Sequence, residues 1–266
     1  MSQTVPERRQ VEVVTVRNLV IAKWGSDTVS LFERNVKTDK PVDRLCITAL
    51  SVSSTYCNAI MTLLANGLRM PTKALLRVLF ELSVKLLWCL REPVEDESIG
   101  TSTEEAKSAR EIIEQKVLRW EKGSIAQDIR LTDGFLALAP AKDQPRIQEQ
   151  IAHLRKRDQS LTCKPVPAFS DIVRELPDVW GRDFYVRCYQ QFNNAVHLDI
   201  GSLCRRVKKK NHGLAVECDS DESIERLAQH WVAIQHIILW TVRKHYEWDT
   251  DQMDEEFKAL NKAGTV

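Results

Sequence analysis

The sequence has little net charge and lacks the short motifs that identify the commonest cofactor sites. Its 266 residues carry 38 basic and 37 acidic side chains, a net charge of +1. This balance does not by itself indicate nucleic acid, a membrane surface or an acidic partner. Neither a P-loop nor a GxGxxG sequence occurs. The absence of a cofactor motif argues against a conventional metabolic enzyme, and we expect no cofactor.

Paired cysteines and an apolar leader are also missing. The seven cysteines occur singly, without a CxxC pair, and the beginning, MSQTVPERRQ, has no apolar signal core. We therefore expect a cytoplasmic protein with free thiols and no structural disulfide. His230, His236 and His245 are spaced so that they do not share a helical face, and we expect no metal site. Charges at helical spacing interrupt every long apolar segment, which argues against a membrane role.

Strand alternation, internal repeats and low-complexity tracts are absent as well, so the pattern predicts an all-α protein, a helical bundle. We expect one domain over residues 1–266, with a core at roughly 41–246. An N-terminal helix from Val11 to Asn35, broken near Gly25, precedes the core. A short acidic helix, MDEEFKAL, closes the chain.

Capping signals divide the core into further helices. The pattern predicts helices from Pro41 to Asn66, from Thr101 to about Lys122, from about Arg182 to Lys210 and from Ser223 to Tyr246. Residues 123–167 contain four prolines and are less periodic. There we expect one or two shorter helices, including Gln148 to Arg157, and the most mobile loops.

The central prediction is a core helix from Lys73 to Arg91, apolar on almost every side. Its charges, Arg77, Glu81 and Lys85, fall at i, i+4 and i+8 and form one stripe. An unpaired buried charge costs several kcal/mol, so we expect these side chains to be paired with each other or to belong to a functional site. One interpretation is an internal ion pair between Arg77 and Glu81, with Lys85 reaching the surface. The other is that the stripe faces a cleft and belongs to a functional site.

A second polar line lies later in the chain. Tyr189, Asn193 and His197 also follow at i, i+4 and i+8, and Gln190 and Asn194 fall in the same arc of a helix. A histidine next to apolar residues is often a hydrogen-bonded core group. Alternatively, this face is a titratable site, because the pKa of histidine lies near neutrality.

Two stretches carry a resemblance to a known family. LLANGLRMPTKALLRVLFELSVKLLWCLREP, with its R-x-x-x-E core, and YQQFNNAVHLDIGSL occur in the expected order. They resemble a bacterial all-helical family known as a domain of unknown function. That family is similar to the higher eukaryote and prokaryote nucleotide-binding (HEPN) domains. These are helical bundles that include many metal-independent endoribonucleases of toxin and antiphage systems, so the resemblance implies a HEPN-like fold.

The HEPN signature places an arginine shortly before a histidine on one helix. Before His197, the corresponding positions hold Gln190, Gln191 and Phe192. The resemblance therefore implies that the arginine comes from elsewhere, and Arg77 of the core helix is the best substitute.

The candidate catalytic residues are those that can hold a phosphate or move a proton: His197, Arg77, Glu81, Asn193, Asn194 and Tyr189. Cleavage of RNA by its own 2′-hydroxyl needs a base, a cation against the phosphorane charge, and donors that hold the phosphate. His197 would be the base or acid, and Arg77 would stabilise the charge. Asn193 or Asn194 would position the phosphate, and Glu81 would orient Arg77 or His197.

Candidate RNA-binding residues extend beyond this set. Tyr189 could stack on a base or donate a hydrogen bond. The basic run that follows His197 could bind a phosphate backbone; it consists of Arg205, Arg206, Lys208, Lys209 and Lys210. The same run also suits a solvated helix C-terminus, where cations complement the helix dipole.

Two functions remain open at this point. The first is an endoribonuclease, a toxin or antiphage-defence effector that acts on RNA as a homodimer. The second is a non-catalytic helical module that binds a protein, a nucleotide or RNA, in which the Arg, Glu and His side chains are structural. A regulatory protein partner is compatible with either function.

Overall fold

The computed structural model describes residues 5–37, 39–91, 103–176, 189, 192, 207–210, 213–216 and 223–262. Within these residues the chain forms helices α1 (Val5–Asn35), α2 (Pro41–Ala65), α3 (Arg69–Leu90), α4 (Thr103–Leu138), α5 (Gln144–Ser160), α6 (Phe169–Glu175), α7 (Ile224–His245) and α8 (Asp251–Lys262). A short hairpin is made of β1 (Val207–Lys210) and β2 (Gly213–Val216). The predicted all-α class is confirmed, and the HEPN-like fold stays a prediction.

The chain divides into two compact units. The first comprises residues 1–39, 46–90 and 169–266, and so contains α1, most of α2, α3, α6, α7 and α8. The second comprises residues 40–45 and 91–168, with α4 and α5. The prediction of one domain over residues 1–266 stays a prediction.

The core of the first unit is built around α7, which packs against α3, α1 and α8. The predicted inward residues Trp231, Ile234, Ile238 and Val242 are all fully buried. The helix begins as predicted, because the Ser223 side chain accepts a hydrogen bond from the Arg226 backbone N–H at 3.2 Å. Its last turn is basic, which suits the negative end of the helix dipole.

The predicted break in α1 at Gly25 is wrong, and the helix begins earlier than Val11. It runs without interruption from Val5 to Asn35. Buried side chains recur along it at spacings of three and four: Val14, Arg17, Ile21, Trp24, Thr28 and Phe32. This continuous buried stripe holds the glycine in helical conformation, because packing outweighs the roughly 1 kcal/mol by which glycine disfavours a helix.

The connection between α2 and α3 follows a Schellman motif. The Gly67 N–H donates to Leu64 O at 3.0 Å and the Leu68 N–H donates to Leu63 O at 2.8 Å. Gly67 has φ +72°, a left-handed conformation that favours glycine. The helix end predicted at Asn66 and Gly67 is therefore confirmed by its capping geometry.

Among the helices in the described residues, α2 alone is long and apolar enough to cross a membrane. Its best window has a mean hydropathy of 1.3, and 33% of that window is buried. The buried face of the helix is apolar for the most part, whereas Ser51, Ser54, Thr55 and Asn58 are exposed. Core helices of soluble proteins share this length and composition, so the finding assigns no membrane role.

In the second unit, α4 extends far beyond the predicted end at Lys122. It continues through Gly123 to Leu138 and packs against α5. A Cβ at Gly123 would lie 2.6 Å from Cγ1 of Val166, so glycine allows the chain after α5 to approach the helix closely. Gly123, the residue after the predicted end, is therefore a packing position inside the helix. The shorter helix predicted at Gln148 to Arg157 is confirmed within the longer α5.

The helix predicted from Arg182 to Lys210 is wrong at its C-terminal end. Val207–Lys210 form β1 and pair with β2 in antiparallel register, from Val207 opposite Val216 to Lys210 opposite Gly213. Two residues separate the strands, the commonest hairpin loop length, and valine at both outer positions favours extended backbone. Tyr189 and Phe192 are the described residues of the predicted helix before β1; the remainder, from 182 to 206, lies outside the described residues.

Carboxylates of α8 attach it to α7 and α1. His236 Nε2 lies 2.8 Å from Asp254 Oδ1, and the His236 ring stacks on Phe257 with 4.1 Å between centroids. On α1, the indole N–H of Trp24 donates to Glu256 Oε2 at 2.6 Å. Hydrogen bonds to the buried side chains of His236 and Trp24 thus hold the acidic C-terminal helix.

Two glycines of α4 provide a matched test of the packing at Val166. Gly134→Ala should raise the free energy of unfolding by up to about 1 kcal/mol, because a Cβ there meets no atom within 4 Å and alanine favours a helix. Gly123→Ala should not raise the free energy of unfolding, and could lower it, because the Cβ of alanine at this position collides with Val166. Thermal and urea unfolding of the two variants measure the difference. Equal stabilisation by both substitutions would contradict the close contact.

Burial of His236 predicts a pH-dependent stability. Burial lowers the pKa of His236 below its ordinary value of 6.5, against the opposing effect of Asp254. Below about pH 6.5 the His236 imidazole is therefore protonated more readily in the unfolded chain than in the folded chain. The free energy of unfolding falls as the pH falls. The melting temperature should be lower at pH 5.5 than at pH 8.

The matched control for this pH dependence is His236→Gln, which keeps an N–H near the position of Nε2 but does not titrate. The gap in melting temperature between the two pH values should narrow in this variant. An unchanged gap would assign the pH dependence to other groups.

Candidate functional site

The charged stripe of α3 forms an ion pair. Arg77 Nε lies 3.2 Å from Glu81 Oε1, and the two side chains are 19% and 29% exposed. Their i, i+4 spacing on one helical turn brings them within reach of each other. The predicted internal pair is therefore present, at a position that is only partly closed to solvent.

Tyr189 joins this pair from a distant part of the sequence. Its hydroxyl donates to Glu81 Oε1 at 2.9 Å and accepts a hydrogen bond from Arg77 Nη2 at 3.3 Å. The three side chains therefore form a closed ring of contacts between guanidinium, phenol and carboxylate. We call Arg77, Glu81 and Tyr189 the polar triad.

Two phenylalanine rings pack against the Tyr189 ring of the polar triad. The Tyr189 ring lies 5.0 Å from Phe169 and 5.8 Å from Phe80, measured between centroids. Arg77 Cζ lies 5.4 Å from the centroid of the Tyr189 ring, within cation–π range. Because Phe80 is on α3 and Phe169 begins α6, helix packing fixes the ring that carries the hydroxyl.

The Tyr189 phenol is protonated at neutral pH. Burial raises the pKa of Tyr189, and the hydrogen bond to Glu81 adds to that rise, while Arg77 opposes it. The neutral phenol acts as the donor to Glu81 and as the acceptor for Arg77. The orientation of each hydrogen bond in the polar triad is therefore defined.

The guanidinium has donors that the polar triad does not use. Arg77 Nη1 makes no hydrogen bond with any residue that the structure describes. Glu81 offsets the charge of Arg77, so the polar triad would attract an anion mainly through directed N–H donors. Arginine donors suit phosphate oxygens, because the planar guanidinium presents them in a fixed geometry.

The structure brings together three of the predicted catalytic residues: Arg77, Glu81 and Tyr189. The other three, His197, Asn193 and Asn194, lie outside the described residues. Whether Arg77 and His197 share a site stays a prediction. Of the predicted RNA-binding residues, Arg205 and Arg206 lie outside the described part, and Lys208, Lys209 and Lys210 form β1 rather than a helix C-terminus.

Sequence reasoning missed the contribution of Phe169. This residue lies just beyond residues 123–167, and Ile172, Val173 and Leu176 follow it at the i+3, i+4 and i+7 spacing that predicts a helix. That spacing could have identified α6. No local pattern connects it to Phe80 or Tyr189. The described residues contain no group of three or more His, Cys, Asp or Glu side chains arranged to hold a metal ion.

Comparison with known protein families identifies the chain at the level of a family. Residues 43–214, more than half of the sequence, match the model of a family of unknown function. The chain belongs to DUF5677. The matched range contains all three residues of the polar triad, and the predicted membership of an unknown-function family is confirmed. No curated protein and no solved structure matches this DUF5677 chain.

Removal of the Tyr189 hydroxyl tests the energetics of the polar triad. Tyr189→Phe keeps the ring but removes the donor to Glu81, and should lower the free energy of unfolding by about 1 kcal/mol. In a Glu81→Ala background, Tyr189→Phe should lower the free energy of unfolding by less, because the carboxylate that accepts from the Tyr189 hydroxyl is already absent. Urea unfolding of the four chains measures this coupling.

The matched control is Tyr56→Phe on α2, whose hydroxyl makes no hydrogen bond with the described residues. It should change stability by less than Tyr189→Phe does. Additive effects of Tyr189→Phe and Glu81→Ala would show that the hydroxyl and the carboxylate do not interact in solution.

Proposed function

We propose that this DUF5677 chain is an endoribonuclease that cleaves RNA by attack of the 2′-hydroxyl on the adjacent phosphorus, as a toxin or antiphage-defence effector. The observation that carries this proposal is the polar triad. It presents a guanidinium, fixed by a carboxylate and a phenol, at a partly exposed position. The two motif stretches resemble an unknown-function family that is in turn similar to HEPN domains, many of which are ribonucleases, and this similarity supports the same chemistry.

In this reaction the 2′-oxygen bonds to phosphorus and the 5′-oxygen leaves. A base removes the proton of the 2′-hydroxyl, and an acid returns a proton to the 5′-oxygen. The products are a 2′,3′-cyclic phosphate and a 5′-hydroxyl. Negative charge grows on the non-bridging oxygens in the transition state, where fixed donors are most effective.

Within the polar triad, Arg77 is the group that would contact the phosphate. Its Nη1 donors are unused among the described residues, whereas Nη2 is oriented by the Tyr189 hydroxyl. Glu81 positions the guanidinium through its contact with Nε. Such positioning lowers the entropic cost of holding the phosphate in line for attack.

His197 is the proposed base or acid. It follows Tyr189 by eight residues in the sequence, and its pKa range suits proton transfer near neutral pH. Asn193 and Asn194, between the two, are the proposed amide donors to the phosphate. The lysines of β1 would add attraction for the RNA backbone.

A second function is favoured by the charge balance of the polar triad. Because Glu81 offsets Arg77 and the Tyr189 hydroxyl uses both partners, the same contacts also suit a stable structural network. In that case the chain is a non-catalytic helical module that binds a protein, a nucleotide or RNA.

The decisive test is incubation of the purified chain with total cellular RNA in EDTA, with the product ends analysed. The native chain should yield discrete fragments with 2′,3′-cyclic phosphate ends. His197→Ala should abolish this cleavage, and Arg77→Lys should reduce it at least about tenfold, since lysine keeps the charge but loses the planar donors. Circular dichroism confirms that each variant is folded.

His153→Ala on α5 is the matched histidine control, because His153 is exposed and far from the triad in sequence. It should cleave like the native chain. Cleavage that persists in His197→Ala would contradict the proposed base or acid. If the native chain does not cleave RNA but binds it, and Arg77→Ala weakens that binding, the binding-module function holds instead.

A further inference from the structure

A cleft in the first unit lies between α1 and α2, with α7 at its floor. Its volume is about 320 Å³, at the lower end of the range of small-molecule sites, about 300 to 1,000 Å³. Ser26 and Asn58 line its exposed mouth, whereas Leu50, Gln235 and Leu239 are buried. The cleft therefore has polar side chains at its exposed mouth, and leucines together with one amide inside.

Gln235 is the unusual group at this floor. It is 1% exposed, and its amide nitrogen Nε2 is buried without a hydrogen-bond partner among the described residues. A buried amide without partners is destabilising, and native cores rarely retain one. The side chain offers a donor and an acceptor on adjacent atoms, which is the pattern that pairs with another amide.

The walls of the cleft are neutral. Among the described residues that line it, none carries a formal charge. Cys57 accepts a hydrogen bond from the Trp231 indole N–H at 3.4 Å, and burial raises the pKa of its thiol to about 12, so it stays protonated. The Ser53 hydroxyl donates to Leu50 O at 3.0 Å and keeps its lone pairs for a ligand. An ionised ligand would find no counter-charge here.

Space within the cleft is provided partly by Gly25. This residue lines the cleft in the middle of α1, and a Cβ built there meets no atom within 4 Å. An apolar cavity of about 150 Å³ holds a benzene molecule. A cleft of about twice that volume therefore accommodates a bicyclic ring system.

We propose that this cleft binds a small, uncharged, planar molecule with a lactam or carboxamide edge, and that the edge pairs with the side-chain amide of Gln235. The apolar walls contact the faces of the rings. The ligand's N–H donates to Gln235 Oε1, and its carbonyl accepts from Nε2. This site shares no residue with the polar triad, so it stands whether or not the chain cleaves RNA.

The test uses isoquinolin-1-one, a bicyclic lactam, with isoquinoline as the matched probe that lacks the lactam edge. Isothermal titration calorimetry should show one site for the lactam on the full-length chain and binding of isoquinoline weaker by at least about tenfold. Gln235→Leu should remove this preference, because leucine fills a similar volume without an amide. Equal affinity of the native chain for both probes, or no binding of the lactam, would overturn the proposal.

A pair of glycine variants tests the location independently of Gln235. Gly25→Leu places a side chain in the cleft and should abolish binding of isoquinolin-1-one. Gly134→Leu on α4, where a Cβ also meets no atom within 4 Å, should leave binding unchanged. Circular dichroism establishes that both are folded. Binding that survives Gly25→Leu in a folded chain would place the lactam elsewhere and overturn the assignment.

The stability of Gln235→Leu gives a separate readout. Leucine replaces a buried amide that has no described partner, so the melting temperature without ligand should be unchanged or higher. A large drop would show that the amide supports the fold instead of a ligand, and would count against the site.

Discussion

The structure of the first unit depends on the packing of α7 against α3. Both helices are buried over most of their circumference, and Leu76, Leu79, Leu227 and Trp231 are fully enclosed. Such helices are stabilised by burial of apolar surface more than by intrinsic propensity. Any polar side chain on them must find a partner or remain at a cost. The buried polar groups on these two helices are therefore the positions at which a structural or functional role must be sought.

Three buried or partly buried polar side chains on α3 and α7 illustrate this constraint. On α3, Arg77 is matched by a carboxylate on its own helix and a phenol from elsewhere. On α7, the Arg243 guanidinium donates to the Thr28 hydroxyl of α1 at 2.9 Å and to the Asp249 carbonyl at 3.1 Å. Also on α7, the side-chain amide nitrogen of Gln235, the residue before His236, is left without a described partner. The two arginines thus have described partners, whereas the Gln235 amide nitrogen has none and is the group on which the proposed cleft site rests.

Local signals in the sequence predicted what local physics controls. The caps at Gly67 and Ser223 and the i, i+4 pair on α3 follow from a few neighbouring residues, and the structure has all of them. The continuity of α1 at Gly25 and of α4 at Gly123 could not be predicted in this way, because distant packing overrides a local glycine signal. The same holds for the candidate site: the Tyr189 hydroxyl meets Glu81 across 108 residues of sequence, and no periodic pattern encodes that distance.

The arrangement of the units along the chain has a topological consequence. The first unit is interrupted at residues 40–45 and again after Leu90, and it resumes at Phe169. The two ends of the longer interruption are close, because α3 packs against α6 and the Trp88 indole N–H donates to Glu175. A chain that leaves and re-enters a core at neighbouring points tolerates change in the segment between them. The segment with α4 and α5 is therefore an insertion in the sequence of the first unit, and it leaves and rejoins that unit at neighbouring helices.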